Sequence, residues 1–489
     1  MALGDLLLKN KLLSKEELVA ALEYQRVSGG LLGDTLINLG FITQEKLEEV
    51  LSDPPRRPET IDDTRLNSHF LVNSILKLIY VSGLETISEF SNHIKLSRGI
   101  TEELVNIAKK EHLIEVQGAA NANYTALRHA LTGMGRERAI EAYGWCQYTG
   151  PVPVPLSDYH AQVQKQTITN ERINAKVISK SLSHLILPEE TLRQLGPAIN
   201  SGKAILLYGF SGNGKTSVAE AIGDTFNQTI YIPHAIEVDG QIIKVFDPSV
   251  HKVISSQPDP RGGDQNPIYL PKTSFDPRWV RCSRPVIISG GELTLDMLDL
   301  EFDALTKSYE APLQVKATGG VYVIDDFGRQ LVRPHDLLNR WIIPLERKLD
   351  YLTLHTGKKF DIPFDELVIF STNISPGDLM DTAFLRRIHY KLRMDPPSEE
   401  DYKAIFRRIC EFHHLEISED MLSHLLHRFY YQNKVPLAAF HPKFIVEHAI
   451  ASCNYEGVTP HLDLDLVKDA LKNLVIAEST SPSESGDHE

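Results

Sequence analysis

Residues 204–217 read Ala-Ile-Leu-Leu-Tyr-Gly-Phe-Ser-Gly-Asn-Gly-Lys-Thr-Ser. The first five residues are typical of a buried strand, and the run ends in the pattern Gly-x-x-x-x-Gly-Lys-Thr. Apolar residues with helical spacing follow it, at Val218, Ala219, Ala221 and Ile222. A strand, a glycine-rich loop and a helix in this order predict a phosphate-binding loop at the start of a helix that runs to about residue 226.

The residue types of this loop suit a phosphate ligand. Glycine at positions 209, 212 and 214 lets the backbone curl so that its N–H groups point at an anion. Lys215 places a cation at the β- and γ-phosphates, and Thr216 offers a hydroxyl to Mg²⁺. The alternative is a glycine-rich turn that binds nothing. The predicted nucleotide-binding residues are Gly209, Ser211, Gly212, Asn213, Gly214, Lys215, Thr216 and Ser217.

A second apolar strand, at residues 321–324, ends in the carboxylates Asp325 and Asp326. If this strand lies beside the phosphate loop, Asp325 can join the Mg²⁺ shell and Asp326 can polarise an attacking water. The alternative is a pair of acidic residues that cap the next helix. Asp325 and Thr216 are therefore the predicted metal residues, and Asp326 is the predicted catalytic carboxylate.

A third apolar strand, at residues 367–371, runs into Asn373. An uncharged amide at the end of a central strand can hydrogen-bond both a γ-phosphate and the attacking water, although a turn-forming Asn would look the same. A predicted helix then ends in Arg386 and Arg387, before a strand-like stretch at 390–394. Asn373 and the two arginines complete the predicted catalytic set.

Length and composition set the broad class. A chain of 489 residues with 42% apolar content predicts about three globular domains. No apolar run approaches the 18 uncharged residues of a membrane span, and the N-terminus lacks the pattern of a signal peptide, so we expect a cytoplasmic protein. The four scattered cysteines have no metal-site spacing. The net charge of −14 disfavours general nucleic-acid binding.

Residues 1–53 contain an internal repeat with an offset of 29 residues. Leu3-Gly4-Asp5 recurs as Leu32-Gly33-Asp34, and Leu7 and Leu36 are equivalent, as are Ser14 and Thr43. Each copy reads as a short helix, a turn and a second helix capped by Ser14 or Thr43, with a capping box only at Ser14 and Glu17. Two such units are the minimum that could bury each other's leucines.

Residues 54–65 are proline-rich and charged, and we interpret them as a linker. Residues 66–145 have the pattern of three helices and a short hairpin, which is a winged-helix-like layout; we expect residues 113–116 to pair with 124–127. Winged helices often bind DNA, but residues 66–140 contain eight Lys or Arg and seven Asp or Glu. This balance is weak for a duplex binder, so a structural or protein-binding role is favoured.

The remaining boundaries follow composition. Residues 146–174 are a proline-rich linker, 175–397 an α/β core, 398–477 a helical segment, and 478–489 an acidic tail that we expect to be disordered. The stretch 227–320 is a long insertion with a hairpin-like pattern at 236–242. It either contacts a substrate or is a β insertion with no contact role. Arg340 is either an inter-subunit arginine or a helix-surface residue beside Trp341.

Taken together, the phosphate loop, the Asp-Asp strand, the Asn-tipped strand, the arginine-ended helix and the helical segment resemble the AAA+ ATPases over residues 175–475. The resemblance implies that Lys215 and Thr216 belong to Walker A, Asp325 and Asp326 to Walker B, and Asn373 to sensor 1. It further implies that Arg387, with Arg386, is an arginine finger that reaches a neighbouring subunit. Lys443 falls where the family has the arginine of sensor 2; sensor and surface lysine are the two interpretations.

One departure from the AAA+ pattern affects the chemistry. Most members have Glu where this chain has Asp326, and a carboxylate withdrawn by one methylene would misplace the water by about 1 Å, which slows turnover.

The repeat at 1–53 resembles the MshEN domain of type II secretion and type IV pilus ATPases, in which arginines help bind cyclic di-guanylate. Here those positions are Ala2 and Leu31, so a protein-docking module is favoured over a second-messenger receptor.

The resemblance implies an ATP- and Mg²⁺-dependent hydrolase that assembles as a ring, by family six subunits, and remodels or moves a protein partner. The repeat adds a link to a secretion or pilus apparatus. The alternatives are a nucleotide-gated binding module with negligible hydrolysis and a DNA-acting ATPase that works through the winged helix. Nucleic acid is the disfavoured partner, because no basic recognition face is visible in the sequence.

Overall fold

The computed structural model describes residues 7–8, 12–28, 35–37, 39–43, 54–119, 127–254, 275–379, 382–432 and 435–479. The helix predicted after Thr43, most of the predicted strand at 124–127, part of the insertion at 227–320 and the acidic tail lie wholly or in part outside these ranges. Within the described residues, no single helix is long and apolar enough to span a membrane. The helices Ser68–Ser82 and Ile87–Ile94 reach that length and composition only when they are taken together, and they meet at 108°.

The described part of the N-terminal repeat contains one long helix, α1 (Lys15–Ser28). The predicted capping box is confirmed: the Glu17 amide donates to Ser14 Oγ at 3.1 Å, and Glu17 accepts from the Ser14 amide at 2.8 Å. Equivalent positions of the two copies share one apolar cluster, composed of Leu7, Leu13, Ala21, Leu36 and Ile42. The two copies therefore bury each other's apolar side chains.

Three helices and a hairpin follow the segment at 54–65, with a fourth helix after them. Their bounds are α2 (Ser68–Ser82), α3 (Ile87–Ile94), α4 (Arg98–Lys110), β1 (Ile114–Ala119), β2 (Leu127–Leu131) and α5 (Gly133–Trp145). The predicted hairpin register is wrong. Ile114 pairs with Leu131, and Gly118 and Ala119 belong to β1 and do not form the turn. Short polar caps start the helices, as at Thr86, whose side chain and Glu89 form a capping box.

The segment at 146–174 is an ordered part of the fold, so its interpretation as a linker is wrong. It contributes strand β3 (Val154–Pro155) and helix α6 (Leu156–Lys165). Val154, Tyr159 and Val163 lie in the core of the β layer described below. Proline can occupy β3 because this strand lies at the edge of a sheet.

The α/β region comprises the remaining strands and a set of helices. Its helices are α7 (Ala175–Ser181), α8 (Glu189–Asn200), α9 (Lys215–Gly223), α10 (Leu313–Lys316), α11 (Pro334–Arg347), α12 (Pro376–Leu379) and α13 (Thr382–Arg387). Its strands are β4 (Ile205–Tyr208), β5 (Thr229–Pro233), β6 (Ala235–Val238), β7 (Gln241–Lys244), β8 (Trp279–Ser283), β9 (Val286–Ser289), β10 (Glu301–Asp303), β11 (Ser308–Glu310), β12 (Val321–Ile324), β13 (Leu349–Thr353), β14 (Lys359–Pro363), β15 (Leu367–Thr372) and β16 (Tyr390–Arg393).

Five of these strands form a parallel sheet in the order β16-β4-β15-β12-β9. The central strands β12 and β15 are buried along their whole length. Such continuous apolar burial is typical of a parallel sheet covered on both faces, and two apolar cores, one including α8 and α9 and the other α11, pack on it. The predicted α/β class is confirmed, and its parallel-sheet core includes β4, the strand that leads into the phosphate loop.

The insertion at 227–320 forms a β layer with its own core. The predicted hairpin is confirmed as β6 and β7, whose turn residues Asp239 and Gly240 both have positive φ. These strands join a second five-stranded sheet in the order β10-β11-β7-β6-β3, while β5 pairs with β8. Most strands of the insertion therefore form a separate β layer in its described residues, whereas β9 belongs to the main parallel sheet.

Four helices form the C-terminal helical unit, which we call the lid. They are α14 (Glu399–Phe412), α15 (Glu419–Leu425), α16 (His441–Glu456) and α17 (Leu464–Ser479), and a π-helical turn (Leu426–Tyr431) continues α15. Their apolar faces share one core, which includes Phe406, Leu422, Ile445 and Leu471. The lid thus has a hydrophobic core separate from that of the sheet.

Candidate functional site

The predicted loop, carboxylate and amide residues meet at one cavity of about 490 Å³. They do so because β4, β12 and β15 are parallel, so that their carboxyl ends share one edge of the sheet. The lid forms the opposite wall. The lining includes Ser211, Gly212, Asn213, Gly214, Lys215, Thr216, Ser217, Asp325, Asp326, Asn373, Arg408, Phe440 and Lys443.

The strand order corrects one expectation. The Asp-bearing strand β12 does not lie directly beside the phosphate-loop strand β4, because β15 lies between them. The side chains nevertheless meet, since Asp325 and Asn373 both extend from the same sheet edge toward the loop. Strand order in a parallel sheet depends on long crossovers, which local sequence patterns do not encode.

The phosphate loop has the backbone that its glycines predict. Gly209, Gly212 and Gly214 have φ of +141°, +79° and +76°. A Cβ at Gly209 would collide with the carbonyl of Met394. Gly214 is the N-cap of α9 and has no side chain to accept the first amides of that helix. These amides, together with the positive end of the helix dipole, form an anion-binding site.

Lys215 is the cation of the site, and its side chain is almost fully buried. Its Nζ donates to the carbonyls of Gly209 and Phe210, at 3.0 and 2.8 Å, and to Asn373 Oδ1, at 2.7 Å. Burial lowers the pKa of the Lys215 ammonium, while Asp326 and Asp325 act in the opposite direction. Three acceptors hold the ammonium at the centre of the loop, where a phosphate oxygen could replace one of them.

Thr216 and Asp325 are in direct contact. The Thr216 hydroxyl lies 2.9 Å from Asp325 Oδ2 and 3.1 Å from Oδ1. A hydroxyl and a carboxylate are the hard oxygen ligands that Mg²⁺ prefers when it also contacts phosphates. The donor set therefore fits the predicted metal, with two protein ligands beside the phosphate-binding amides.

Asp326 and Asn373 form the second polar pair. Asn373 Nδ2 donates to Asp326 Oδ1 at 3.1 Å, and its Oδ1 accepts from Lys215. Asp326 has a φ of +48°, an uncommon conformation for a residue with a Cβ. This backbone turns the exposed Asp326 carboxylate toward the cavity, and the Asn373 amide links it to Lys215.

The lid closes the cavity through its own polar and apolar residues. Lys443 on α16 lines the cavity, and its Nζ lies 3.8 Å from Glu447 while most of the side chain is exposed. The Phe440 amide donates to the Gly212 carbonyl at 3.0 Å, and a Cβ at Gly212 would overlap the Phe440 ring. The start of α16 is therefore packed directly on the phosphate loop.

Sequence reasoning missed three parts of this cavity: Arg408 of α14, Phe440, and the segment 184–187 that precedes α8. The spacing of Ile405, Arg408 and Ile409 puts a cation and two apolar residues on one helix face, and this pattern can be recognised in the sequence. Nothing local in the sequence distinguishes Phe440 or residues 184–187, because their place depends on how the lid meets the core.

The structure does not bring Arg386 and Arg387 into this cavity. Arg387 Nε donates to Glu346 at 2.7 Å, on a separate surface cavity next to Arg386. Arg340 also lies elsewhere: it pairs with the buried carboxylate of Asp350 and with Asp299. For Arg340 the structure favours the interpretation of a helix arginine near the buried Trp341.

Comparison with known families gives one partial match. Residues 398–473, which lie in the lid, match the model of a family described as a domain of unknown function (DUF8689). This match spans well under half of the chain. No curated protein gives a significant match.

Several solved structures are similar over part of the chain. Domain III of the replication initiation protein DnaA from Thermotoga maritima is 14% identical; the match covers 62% of this chain and 98% of that one, with a TM-score of 0.33. NtrX from Brucella abortus in complex with ADP is 14% identical, with coverage of 71% and 68% and a TM-score of 0.36. A RuvB variant from Thermotoga maritima is 16% identical, with coverage of 63% and 73% and a TM-score of 0.31.

In a second NtrX structure the match spans 58% of that chain, with a TM-score of 0.37. All these TM-scores are below 0.5, so the similarities carry no argument about mechanism or partner. The architecture of this chain rests on its own strand order and on the loop geometry. Its cavity combines the amides at the start of α9, a lysine, an oxygen-ligand pair and a carboxylate–amide pair, a set suited to a nucleotide's phosphates.

Proposed function

We propose that the chain is an AAA+ ATPase that binds ATP with Mg²⁺ and hydrolyses it. One observation carries the proposal: Lys215, the Thr216–Asp325 pair and the Asn373–Asp326 pair converge on one cavity at a phosphate loop. Each member has a distinct task in phosphoryl transfer, which depends on positioning and charge stabilisation. The segment 184–187 and the apolar residues of α14 would enclose the base.

The residues divide the reaction as follows. The loop amides and Lys215 bind the phosphate oxygens, and Thr216 with Asp325 would hold Mg²⁺, which neutralises phosphate charge when bound. The Asp326 carboxylate accepts a hydrogen bond from the attacking water. Asn373 orients both that water and the γ-phosphate. Asn373 already touches Lys215 and Asp326, so its amide couples phosphate binding to the hydrolytic carboxylate.

The site is completed by a second copy of the chain. Arg387 and Arg386 lie at the end of α13, which directly precedes β16, and therefore near the edge of the sheet opposite the phosphate loop. The neighbouring strands β4 and β16 have four residues each, so about 13 Å of strand separates these arginines from the phosphate loop, and they do not line the cavity of their own chain. In a ring, they would contact the nucleotide bound by the neighbour.

The test is steady-state ATP turnover by the full chain, with Lys215→Ala as the inactive control. We expect turnover by the wild type and loss of both nucleotide binding and turnover in Lys215→Ala. If the wild type shows no turnover above this control in any oligomeric form, the proposal is wrong. Tight ATP binding without turnover would instead support the second candidate, a nucleotide-gated binding module, which the short carboxylate of Asp326 favours.

The partner that we propose is a protein. The net charge of −14 and the near balance of eight basic and seven acidic residues at 66–140 argue against a nucleic-acid duplex. The shared apolar cluster shows that the N-terminal repeat has a core of its own, which supports a role as a docking module. We propose that this module docks on a secretion or pilus apparatus. An Asp326→Asn chain loaded with ATP should retain the partner, and binding of the isolated 60–145 segment to DNA at moderate salt would contradict this assignment.

A further inference from the structure

The edge of the sheet opposite the phosphate loop carries a basic cluster. It surrounds a surface cavity of about 530 Å³ whose polar lining consists of Lys203, Glu346, Arg386, Arg387 and His389. Three of these side chains are always cationic and one is acidic, so the cluster is positive and suits an anion. The Arg387 side chain is 28% exposed, which leaves it able to reach a ligand from outside the chain.

Two members of the cluster come from neighbouring strands. Lys203 lies two residues before β4, and His389 directly precedes β16. These strands are parallel and adjacent, with Ile205 opposite Tyr390. The pairing brings Lys203 Nζ to 2.9 Å from His389 Nε2. The geometry of the sheet therefore fixes this contact.

The contact continues to the helix that bears the arginines. His389 Nδ1 lies 3.0 Å from the carbonyl oxygen of Arg387. A lysine ammonium only donates, so Nε2 must accept from Lys203, and Nδ1 then carries the proton that it donates to the Arg387 carbonyl. The relay runs from Lys203 through His389 to the backbone of Arg387.

A second lysine fixes the next residue. Lys391 Nζ donates to the Ile388 carbonyl at 2.6 Å, while Glu346 holds the guanidinium of Arg387. The end of α13 is thus tied by side chains at two successive carbonyls, as basic residues often do at a helix end. Such fixation matters for an arginine whose task requires placement to about 1 Å.

We propose that Lys203 and His389 are positioning residues that hold Arg387 for the phosphates of a nucleotide bound by the next copy of this chain. The proposal rests on the proposed function and deepens it, because it adds two residues to the part of the site contributed in trans. Neither residue belongs to the ATP cavity of its own chain. Their loss should therefore lower turnover without weakening ATP binding.

The variants distinguish positioning from a merely structural role. We expect His389→Ala and Lys203→Met to reduce kcat by about tenfold, with ATP affinity unchanged. His389→Asn keeps a donor near the position of Nδ1, and Lys203→Arg keeps the cation, so both should restore activity to within about threefold of wild type. Lys472→Met, an exposed lysine on α17, is the matched control and should be neutral.

The decisive readout is complementation between copies. A Lys215→Ala chain has an inactive phosphate loop but an intact basic cluster, so its co-expression with His389→Ala or Lys203→Met chains should restore turnover. Rescue of Arg387→Ala but not of these two variants would overturn this inference and leave the proposed function intact. Full activity of both variants would overturn it as well. Absence of turnover by wild type would overturn the proposed function itself.

Discussion

At the residue scale, we predict that the Asp326 carboxylate sets the rate of ATP turnover. Its carboxylate is exposed to the cavity, bonded to Asn373 and set at a φ of +48°. We expect Asp326→Asn to bind ATP about as well as wild type but to lose turnover about 10²-fold or more, because the acceptor for the water is lost. Steady-state turnover and equilibrium nucleotide binding, measured side by side, test this.

Asp326→Glu is the matched variant. It extends the carboxylate by one methylene toward the water, so turnover should rise while ATP affinity stays the same. An unchanged or lower rate would show that the backbone at residue 326 already compensates for the shorter side chain.

A second prediction concerns Gly212, on which the lid packs directly. A methyl group there would overlap the Phe440 ring, and the φ of +79° adds strain, so Gly212→Ala should cost about 1–3 kcal/mol in lid packing and nucleotide binding. Gly214→Ala is the matched control, since Gly214 has the same kind of φ, +76°, but open space around its Cβ position.

A double-mutant cycle separates the two costs. Phe440→Ala should recover part of the nucleotide affinity lost in Gly212→Ala and none of that lost in Gly214→Ala. Equal behaviour of the two glycine variants would contradict direct packing of the lid on the loop.

At the scale of elements, the lid should be sensitive to acid. His441, at the start of α16, is fully buried, and its Nδ1 forms a hydrogen bond with Tyr430 Oη at 3.0 Å. Burial lowers the pKa of His441 to about 4. The unfolded chain binds the proton near pH 6.5, so stability is complete above that pH and falls as the pH drops toward 4.

The matched variant is His441→Gln, which keeps a polar side chain but does not titrate. We expect the free energy of unfolding to fall more steeply in wild type than in this variant between pH 6.5 and 4, by up to about 3 kcal/mol. Chemical unfolding of the full chain at several pH values measures the difference. If the free energy of unfolding depends on pH in the same way in both proteins, proton uptake by His441 on unfolding does not destabilise the lid, and the prediction is wrong.

Elements with strong local patterns could be predicted from the sequence, and their arrangement could not. The phosphate loop, the hairpin of β6 and β7 and the capping box at Ser14 each depend on neighbouring residues, and each prediction is confirmed. The insertion of β15 between β4 and β12 depends on pairing between distant segments. The same holds for the ordered segment 146–174, whose prolines suggested a linker but whose β3 is stabilised by its pairing with β6.

The site shows the same division. Residues within one motif, such as Lys215 and Thr216, were predictable because their chemistry follows from adjacent glycines. Arg408 and Phe440 come from the lid, and only tertiary packing brings them to the cavity. The relay through Lys203 and His389 likewise depends on strands that are far apart in sequence but adjacent in the sheet.

At the scale of the whole molecule, the two halves of the proposed site lie at opposite edges of one sheet. The ATP cavity is at the carboxyl ends of the strands, and the Arg387 cluster is at their amino ends. A single copy therefore has a nucleotide site without its arginines. Assembly, rather than a rearrangement within the chain, would complete it.

The most direct test of this account is the specific ATPase activity of the wild-type chain as a function of its concentration at saturating ATP. Because an arginine supplied in trans is worth about 10³–10⁵-fold in turnover, activity per copy should rise steeply with concentration and reach a plateau once copies associate. Arg387→Ala should stay flat and low. Activity per copy that is independent of concentration, at a level equal to that of Arg387→Ala, would contradict a site shared between copies.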